Sequence, residues 1–171
     1  MNRLLDDLRT VSMAESGALP LHREEVDARR VEADVVAGQA AAATEAGVDL
    51  SAVAGPPIVL DADPVRLREI LANLVVNAIR HTPPSGSVRL DARMDGPWVE
   101  LTVADTGEGI APVDLERIFD RFHRRADTGG SGLGLTIVRD LAAAHGGTVT
   151  AESDGIPGHG TTFRVRLPRR D

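Results

Sequence analysis

The sequence contains no cysteine and no lysine, and its 171 residues include only three phenylalanines, one tryptophan and no tyrosine. Without cysteine the chain forms no disulfide and offers no thiolate to a metal ion. Without lysine it cannot contain a P-loop, whose phosphate-binding motif requires one, and all 19 basic residues are arginine. The scarcity of aromatic residues predicts a core built from aliphatic side chains.

The sequence also lacks the features of membrane-spanning and nucleic-acid-binding chains. It has no apolar run near the roughly 18 residues that a membrane span needs, and no signal segment opens it. Its net charge of -7 opposes binding to a phosphate backbone. A hydrophobic content of 42% with 26% charged residues is ordinary for a folded domain. We therefore expect a soluble, cytoplasmic domain that contacts neither membrane nor nucleic acid.

Apolar periodicity and turn residues predict a mixture of helices and strands. The helices are predicted over residues 1–15, 27–46, 64–82, 113–119 and 132–145, and the strands over 21–26, 48–53, 57–62, 88–94, 98–105, 148–153 and 161–167. The strands over 48–53 and 57–62 are expected to pair with each other through a Gly-Pro-Pro turn. Because helices and strands do not alternate regularly, the pattern favours an α+β two-layer sandwich.

Two asparagines share one face of the predicted helix over 64–82. Asn73 and Asn77 follow Glu69 at intervals of four residues, so the three polar side chains share one face, and the apolar residues of this segment occupy the other faces. Asparagine is a weak helix former and is less common than lysine or glutamate on a plain solvent face. Two interpretations stay open: an exposed polar face, or amide oxygens that meet a hard cation such as Mg²⁺.

A single carboxylate ends the predicted strand over 98–105. Asp105 is followed by Gly107 and Gly109, whose lack of a side chain lets the backbone approach a ligand closely. The pattern fits an ordinary strand end with a turn. It also fits a carboxylate that accepts a hydrogen bond from an exocyclic amine, such as that of adenine.

A polar, glycine-rich segment precedes the predicted helix over 132–145. Its arginines and glycines include Arg121, Arg124, Arg125, Gly130, Gly132 and Gly134. The N–H groups at a helix N-terminus bind phosphate, and nearby arginines add positive charge. A surface loop without a ligand is the alternative. A further glycine-rich turn over 158–161 predicts, by itself, only a turn into a closing strand.

In this order and at this spacing, the four segments resemble the ATP-binding catalytic domain of bacterial sensor histidine kinases, in the ATPase superfamily that also contains gyrase, Hsp90 and MutL. The family's N box resembles residues 73–82, its F box 119–122, and its three glycine boxes 105–109, 130–134 and 158–161. The resemblance implies a Bergerat-type fold, with a mixed, mostly antiparallel sheet packed on about three helices. Residues 1–17 resemble the end of a dimerisation helix or its linker, and residues 18–171 resemble the catalytic domain.

The resemblance implies that ATP and Mg²⁺ bind to this chain, and it assigns roles to individual residues. Asn77 would bind Mg²⁺, Asn73 would line the phosphate side, and Arg124 would contact the γ-phosphate, so these three are the catalytic candidates. Asp105 would accept a hydrogen bond from the adenine amine. The other residues implied at the nucleotide are Arg80, His81, Gly107, Gly109, Ile110, Arg121, Gly130, Gly132, Leu133, Gly134, Thr161 and Thr162.

None of the five histidines lies in a motif like H-E-x-R-T-P-L, in which the family carries its phosphoacceptor. The resemblance therefore implies transfer of the γ-phosphoryl group to a histidine on a dimerisation domain absent from this sequence, with a response regulator downstream. The sequence is either a piece of a larger, membrane-anchored sensor, which we favour slightly, or a short protein with a separate partner. Much of the dimer contact would lie in the dimerisation domain, so we expect a monomer.

Two other functions stay open. One is another ATPase of the superfamily, such as a serine-kinase regulator of sigma factors or a chaperone ATPase. Hsp90- and MutL-like members carry a general-base glutamate where this sequence has Asn73, and an asparagine activates water poorly. The other is a nucleotide-sensing module that keeps the same motifs and binds ATP without transferring phosphate.

Overall fold

The computed structural model describes residues 5, 8–10, 12–13, 19–120 and 132–169. The described residues before residue 14 are helical, in line with the helix predicted there. The elements that follow are, in chain order, β1 (Glu24–Asp27), α1 (Ala28–Ala46), β2 (Asp49–Ala52), β3 (Val59–Ala62), α2 (Pro64–His81), β4 (Ser87–Asp95), β5 (Trp98–Asp105), α3 (Gly134–Ala144), β6 (Thr148–Glu152) and β7 (Thr162–Pro168).

Five strands form one sheet in the order β2-β4-β5-β7-β6, while β1 and β3 form a separate antiparallel pair. In the larger sheet β2 runs parallel to β4, and every other neighbouring pair is antiparallel. The helices pack on one another and on this sheet, α2 on β4 and β5 and α3 on β6 and β7. The fold is therefore the predicted α+β sandwich, with a mostly antiparallel sheet packed on helices.

The strand pair predicted over 48–53 and 57–62 is wrong. β2 pairs with β4, and Val53 extends this ladder by donating its N–H to the carbonyl oxygen of Leu90 over 2.9 Å. β3 pairs with β1 instead. Pro56 and Pro57 between the two strands lack the N–H groups that a tight hairpin would use, so the chain crosses from one sheet to the other.

The short helix predicted over 113–119 is also wrong, because this segment forms successive turns. The N–H groups of Asp114 and Arg117 bond to carbonyl oxygens three residues earlier, over 2.8 and 2.9 Å, rather than to those four residues earlier. A segment this short does not offset the cost of helix nucleation.

The ends of α2 follow from local sequence, whereas α3 begins two residues later than predicted. Asp63 caps α2, since its Oδ1 accepts the N–H groups of Val65 and Arg66 over 3.0 and 3.1 Å. The prolines after Thr82 end the helix. Gly132 has φ +70°, in the left-handed region, and therefore lies outside α3.

The core between the helices and the sheet is aliphatic, as predicted. Its largest fully buried side chains include Leu60, Leu67, Ile70, Leu71, Leu74, Leu90, Leu101, Ile137 and Leu141. Phe163 is the one fully buried aromatic residue among those described, and its ring meets that of Phe119 edge to face, with centroids 6.2 Å apart. No helix in the described part of the chain combines the length and the apolar character that crossing a membrane requires.

Candidate functional site

Helix α2 brings the two predicted asparagines against the start of α3. Asn73 and Asn77 are half-buried and lie one turn apart on α2. The Nδ2 of Asn73 donates to the carbonyl oxygen of Glu69 over 3.0 Å, which leaves its Oδ1 directed at Gly134. A methyl group on Gly134 would lie 3.4 Å from that oxygen. Two motifs separated by about 60 residues in sequence thus meet at one point.

The N-terminus of α3 has the properties of an anion site. Leu133 occupies the cap position, and its own side chain carries no group that could cap the helix. The first N–H groups of an α-helix have no carbonyl partner within the helix, and they attract negative charge together with the helix dipole. Thr136 in this first turn donates its hydroxyl to the carbonyl oxygen of Phe119 over 3.1 Å, which attaches the start of α3 to the residues of the predicted F box.

Asp105 ends β5 as a nearly buried carboxylate, with 7% of its surface exposed. Its Oδ1 accepts the N–H groups of Gly107 and Thr161 over 2.8 and 3.2 Å. Burial raises the pKa of this carboxyl, and the two backbone hydrogen bonds oppose the rise. Its Oδ2 accepts no hydrogen bond from the described residues. The structure therefore holds one carboxylate oxygen in place and leaves the other able to accept from a ligand amine.

The first glycine box packs against the C-terminal end of α2. A side chain on Gly107 would overlap the carbonyl oxygen of His81, which also accepts the N–H of Glu108 over 3.2 Å. Gly109 has φ +75°, a left-handed conformation that favours glycine. The absence of a side chain at Gly107 is thus required for the close approach of the loop to α2, while Gly109 lies against Ser153 and Gly155.

His81 and Arg80 end α2 beside this loop. The Nδ1 of His81 lies 2.8 Å from the Oε1 of Glu108, a residue outside the predicted set, and the His81 side chain is 22% exposed. Arg80 is exposed to solvent, one residue before His81. His81 therefore flanks the first glycine box, from the helix that carries the asparagines.

Ser153, which the motifs do not include, joins two of the glycine boxes. Its Oγ accepts the N–H of Ile110 over 2.9 Å and donates to the carbonyl oxygen of Gly160 over 2.7 Å. The loop after β5 and the turn before β7 are thereby held together around Asp105. In the sequence, Ser153 is only a small hydroxyl residue at the end of a predicted strand, and nothing local marks this contact.

The third glycine box completes the surroundings of Asp105. Thr161 is buried and donates its N–H to Asp105, while Thr162 is half-buried and begins β7 opposite Ala104. The glycine and isoleucine expected beside them, Gly109 and Ile110, contact the same turn through Ser153. The residues expected around adenine therefore lie together.

Part of the predicted set lies outside the described residues, namely Arg121, Arg124 and Gly130 together with Phe122 of the F box. Within the described ranges, no group of three histidine, cysteine, aspartate or glutamate side chains is arranged to hold a metal ion. On α2, the oxygen-bearing side chains that share one face are those of Glu69, Asn73 and Asn77.

Known proteins resemble this chain in both sequence and fold. The family model described as "Histidine kinase-, DNA gyrase B-, and HSP90-like ATPase" matches residues 62–171. The sensor-like histidine kinase SenX3 of Mycobacterium tuberculosis is 40% identical over 150 residues, which are 84% of this chain and 36% of the relative. The sensor protein DivL of Caulobacter vibrioides is 37% identical over 174 residues, covering 97% of this chain and 21% of the relative.

Solved structures of histidine kinases have the same architecture. Full-length ShkA in complex with AMPPNP aligns with a TM-score of 0.86 and 36% identity, over 97% of this chain and 35% of that one. The mycobacterial sensor histidine kinase MprB aligns with a TM-score of 0.76 and 28% identity, over 86% of this chain and 99% of that one.

The matched family model covers more than half of the chain, and its boundaries contain α2 and all three glycine boxes. The chain spans about a third or less of the length of the curated relatives named above. On the family match, the site geometry and the structural likeness together, the chain belongs to the family of histidine kinase-, DNA gyrase B- and HSP90-like ATPases, and its relatives are sensor histidine kinases.

Proposed function

We propose that this chain binds ATP with Mg²⁺ and donates the γ-phosphoryl group to a histidine of a dimerisation domain, as the catalytic part of a two-component kinase. The observation that carries the proposal is that α2 contacts two glycine boxes at two separate points. Its end meets the first box through His81 and Gly107, and its middle meets the second box through Asn73 and Gly134. Eight residues of helix separate these points by about 12 Å, which suits an elongated ligand with a base at one end and phosphates at the other.

At the base end, Asp105 would accept a hydrogen bond from the exocyclic amine of adenine through Oδ2. The Oδ1 atom is occupied by the N–H groups of Gly107 and Thr161, so the carboxylate does not turn. Guanine presents a carbonyl oxygen where adenine presents its amine, and that oxygen would face the carboxylate without a proton between them. This arrangement supports ATP over GTP as the ligand.

At the phosphate end, the N-terminus of α3 would bind the phosphate oxygens, with Gly132, Leu133 and Gly134 as the nearest backbone. The amide oxygens of Asn73 and Asn77 are hard ligands, and Mg²⁺ usually keeps several waters and takes phosphate oxygens as its remaining ligands. Two neutral amides therefore suit a site in which phosphate oxygens and waters supply the other ligands to Mg²⁺. When bound, the cation would neutralise charge that develops on the phosphates.

Arg80, Arg121 and Arg124 are proposed to add positive charge around the phosphates, with Arg124 at the γ-phosphate. Gly130 is proposed to lie beside the phosphates with them. His81 would lie beside the nucleotide, since Glu108 holds its ring next to the first glycine box. Residues 1–17 are proposed as the end of a dimerisation helix or its linker and residues 18–171 as the catalytic domain.

The transfer step requires a histidine that lies in line with the γ-phosphorus. A ring nitrogen of that histidine forms the P–N bond as the bond from phosphorus to the β,γ-bridging oxygen breaks, ADP leaves, and the ring gives its remaining N–H proton to a base or to solvent. Among the described histidines, His81 is paired with Glu108, His145 with Asp63 and His159 with Asp154, while the exposed His22 lies outside any phosphoacceptor motif. The acceptor is therefore proposed on the dimerisation domain, from which a response regulator would receive the phosphoryl group.

Hydrolysis of ATP by water is the weaker alternative. The helix position next to the phosphates carries Asn73 rather than a carboxylate that could deprotonate water. The nearest carboxylate on the same helix face, Glu69, is paired with Arg66 at 2.7 Å. A second candidate function, a nucleotide-sensing module, would use the same adenine site without the transfer step.

The test is phosphoryl transfer in trans. The chain is mixed with γ-labelled ATP, Mg²⁺ and a separately made dimerisation domain from the same gene or operon. Acid-labile, base-stable label on the partner, and none on this chain, is expected. ATP binding without label on the partner would favour the nucleotide-sensing module.

The variant Asn77→Ala examines the proposed metal ligand in the same assay. Transfer should fall by at least about a hundredfold, since removing one group that stabilises transferring charge typically costs this much. Gln39→Ala, which removes a half-buried amide from α1, is the matched control and should transfer normally. Retained transfer in Asn77→Ala would refute the assignment of Asn77 to Mg²⁺.

A further inference from the structure

A buried histidine joins α3 to α2 at the ends that lie away from the proposed phosphates. His145 is 1% exposed, and its Nδ1 lies 2.8 Å from the carbonyl oxygen of Leu141. A carbonyl only accepts, so Nδ1 carries the proton and Nε2 accepts the N–H of Asp63 over 3.1 Å. Burial lowers the pKa of His145, and the hydrogen bond to Leu141 opposes this. The ring is therefore a neutral bridge between two helix ends.

Asp63, on the other side of this bridge, is the N-cap of α2. Its Oδ1 accepts the first N–H groups of α2, and its Oδ2 accepts the N–H of His22 over 2.9 Å. Burial would raise the pKa of Asp63, but the backbone hydrogen bonds outweigh burial and lower it. The guanidinium of Arg23 also reaches the carbonyl oxygen of Ala144 over 3.3 Å. The chain that enters the domain is thus attached to the same helix ends.

The helices bridged by His145 are the two that carry the proposed phosphate site. Along α2, Asn73 lies ten residues after Asp63, and along α3, Gly134 lies eleven residues before His145. At 1.5 Å per residue these distances are about 15 and about 17 Å. The two helices are therefore antiparallel neighbours, and the segments between the bridge and the contact of Asn73 with Gly134 are of similar length. The bridge lies at one end, and the contact between Asn73 and Gly134 lies at the other.

We propose that His145 is a positioning residue for the phosphate end of the nucleotide site. It sets how far α3 lies along α2 and so keeps the N-terminus of α3 opposite Asn73. The inference rests on the proposed function, because it concerns the same site. The adenine end is built differently, since Asp105 is held by Gly107 and Thr161 on the strands and loops of the sheet. Loss of the bridge should therefore weaken phosphate binding and leave base binding intact.

The experiment compares two polar variants by their affinities for ATP and for adenosine. An asparagine at 145 can still reach the carbonyl of Leu141 but is too short to accept from Asp63, so His145→Asn breaks the bridge. A glutamine reaches further and places an acceptor near the former Nε2, so His145→Gln is the matched control. Thermal unfolding of each variant shows how much of any effect is general destabilisation.

For His145→Asn we expect the dissociation constant for ATP to rise at least tenfold and that for adenosine to change less than twofold, with His145→Gln close to wild type. Equal changes for the two ligands, or no change for ATP, would overturn the inference. A wild-type chain that binds no ATP would instead contradict the proposed function.

A second measurement uses only the wild-type chain and does not depend on a variant that folds. If His145 influences phosphate binding, phosphate binding must influence His145 to the same extent. The ¹⁵N resonance of its Nε2 should therefore shift when ATP binds and not when adenosine binds. A resonance that responds to neither ligand, or equally to both, would contradict the inference.

Discussion

The α-carbon of Gly160 lies directly against the main-chain carbonyl oxygen of Asp105. A methyl group on Gly160 would overlap that oxygen, and its φ of +71° is in the left-handed region. The contact holds the turn before β7 against the end of β5, where Thr161 donates to the Asp105 side chain. The orientation of the carboxylate thus depends on a glycine far along the chain.

The variant Gly160→Ala should lower the free energy of unfolding by about 3 kcal/mol or more, because overlap in a packed contact adds to the cost of a left-handed alanine. Denaturant unfolding measures the effect. The control is Gly38→Ala in α1, where an added methyl meets nothing within 4 Å. This control should gain up to about 1 kcal/mol from helix propensity. A Gly160→Ala protein as stable as wild type would contradict the contact.

Ser153→Ala should weaken the binding of ATP and of adenosine equally. Ser153 joins the two loops around Asp105, and its hydrogen bonds to described residues include none at the proposed phosphate end. Loss of its hydrogen bonds to Ile110 and Gly160, and of the longer one from Gly155, should raise both dissociation constants about tenfold. Calorimetric titration with each ligand measures this. Ser51→Ala on β2, which removes an exposed hydroxyl, should bind normally. A selective loss of ATP affinity would show that Ser153 acts on the phosphate end instead.

Asp105→Asn should reduce the preference for ATP over GTP. The amide oxygen can still accept from Gly107 and Thr161, but the amide nitrogen replaces the oxygen that would meet the adenine amine. We expect the dissociation constant for ATP to rise at least about tenfold, with a smaller change for GTP. Competition between the two nucleotides provides the measurement, with Asp49→Asn, an exposed carboxylate on β2, as control. Equal losses for both nucleotides would argue against base recognition by Asp105.

Glu32 on α1 is a buried carboxyl that the proposed function does not use. Its side chain is fully buried, and neither oxygen has a hydrogen-bond partner. Its Oε2 lies 3.8 Å from the guanidinium of Arg29, which bonds to Asp91 at 2.8 Å instead. Burial raises the pKa of Glu32 from 4.5 to about 7; Arg29 opposes the rise, and Asp91 and Asp27 add to it.

The raised pKa of Glu32 predicts a loss of stability as the pH rises from about 4.5 to about 7. The folded chain binds this proton more tightly than the unfolded chain, so the contribution is complete below pH 4.5 and disappears above the folded pKa. Across this range the contribution of Glu32 to the free energy of unfolding changes by about 3 kcal/mol. Glu32→Gln should remove this part of the pH dependence and be more stable than wild type at pH 8. Denaturant unfolding between pH 4.5 and pH 8 measures both effects. Glu45→Gln, which replaces an exposed carboxylate on the same helix, should keep the wild-type slope.

The parts of the fold that local sequence encodes were predictable, and the parts that depend on distant partners were not. Asp63 and Pro64 mark the start of α2 because capping depends on residues that are neighbours in the chain. The partner of β2 was mispredicted because strand periodicity gives the exposed and buried faces without naming the neighbouring strand. The turns over 113–119 were mistaken for a helix because a few apolar residues fit both patterns.

The candidate site divides in the same way. Asn73 and Asp105 were recognisable from spacing, because each belongs to a motif within one element and its following loop. Ser153 and His145 were not, since each acts through partners more than 40 residues away in sequence. Nothing in the residues beside them indicates those contacts. The geometry of the three-dimensional fold alone shows why a serine and a histidine stand at these positions.

The large sheet ends on short strands at both of its sides. β2 has four residues and β6 has five, and these two flank the longer β4, β5 and β7. A short edge offers few unpaired backbone groups to another chain, which is how natural sheets avoid edge-to-edge association. The described five-stranded sheet is therefore poorly suited to templating the fibrous addition of further strands at either edge.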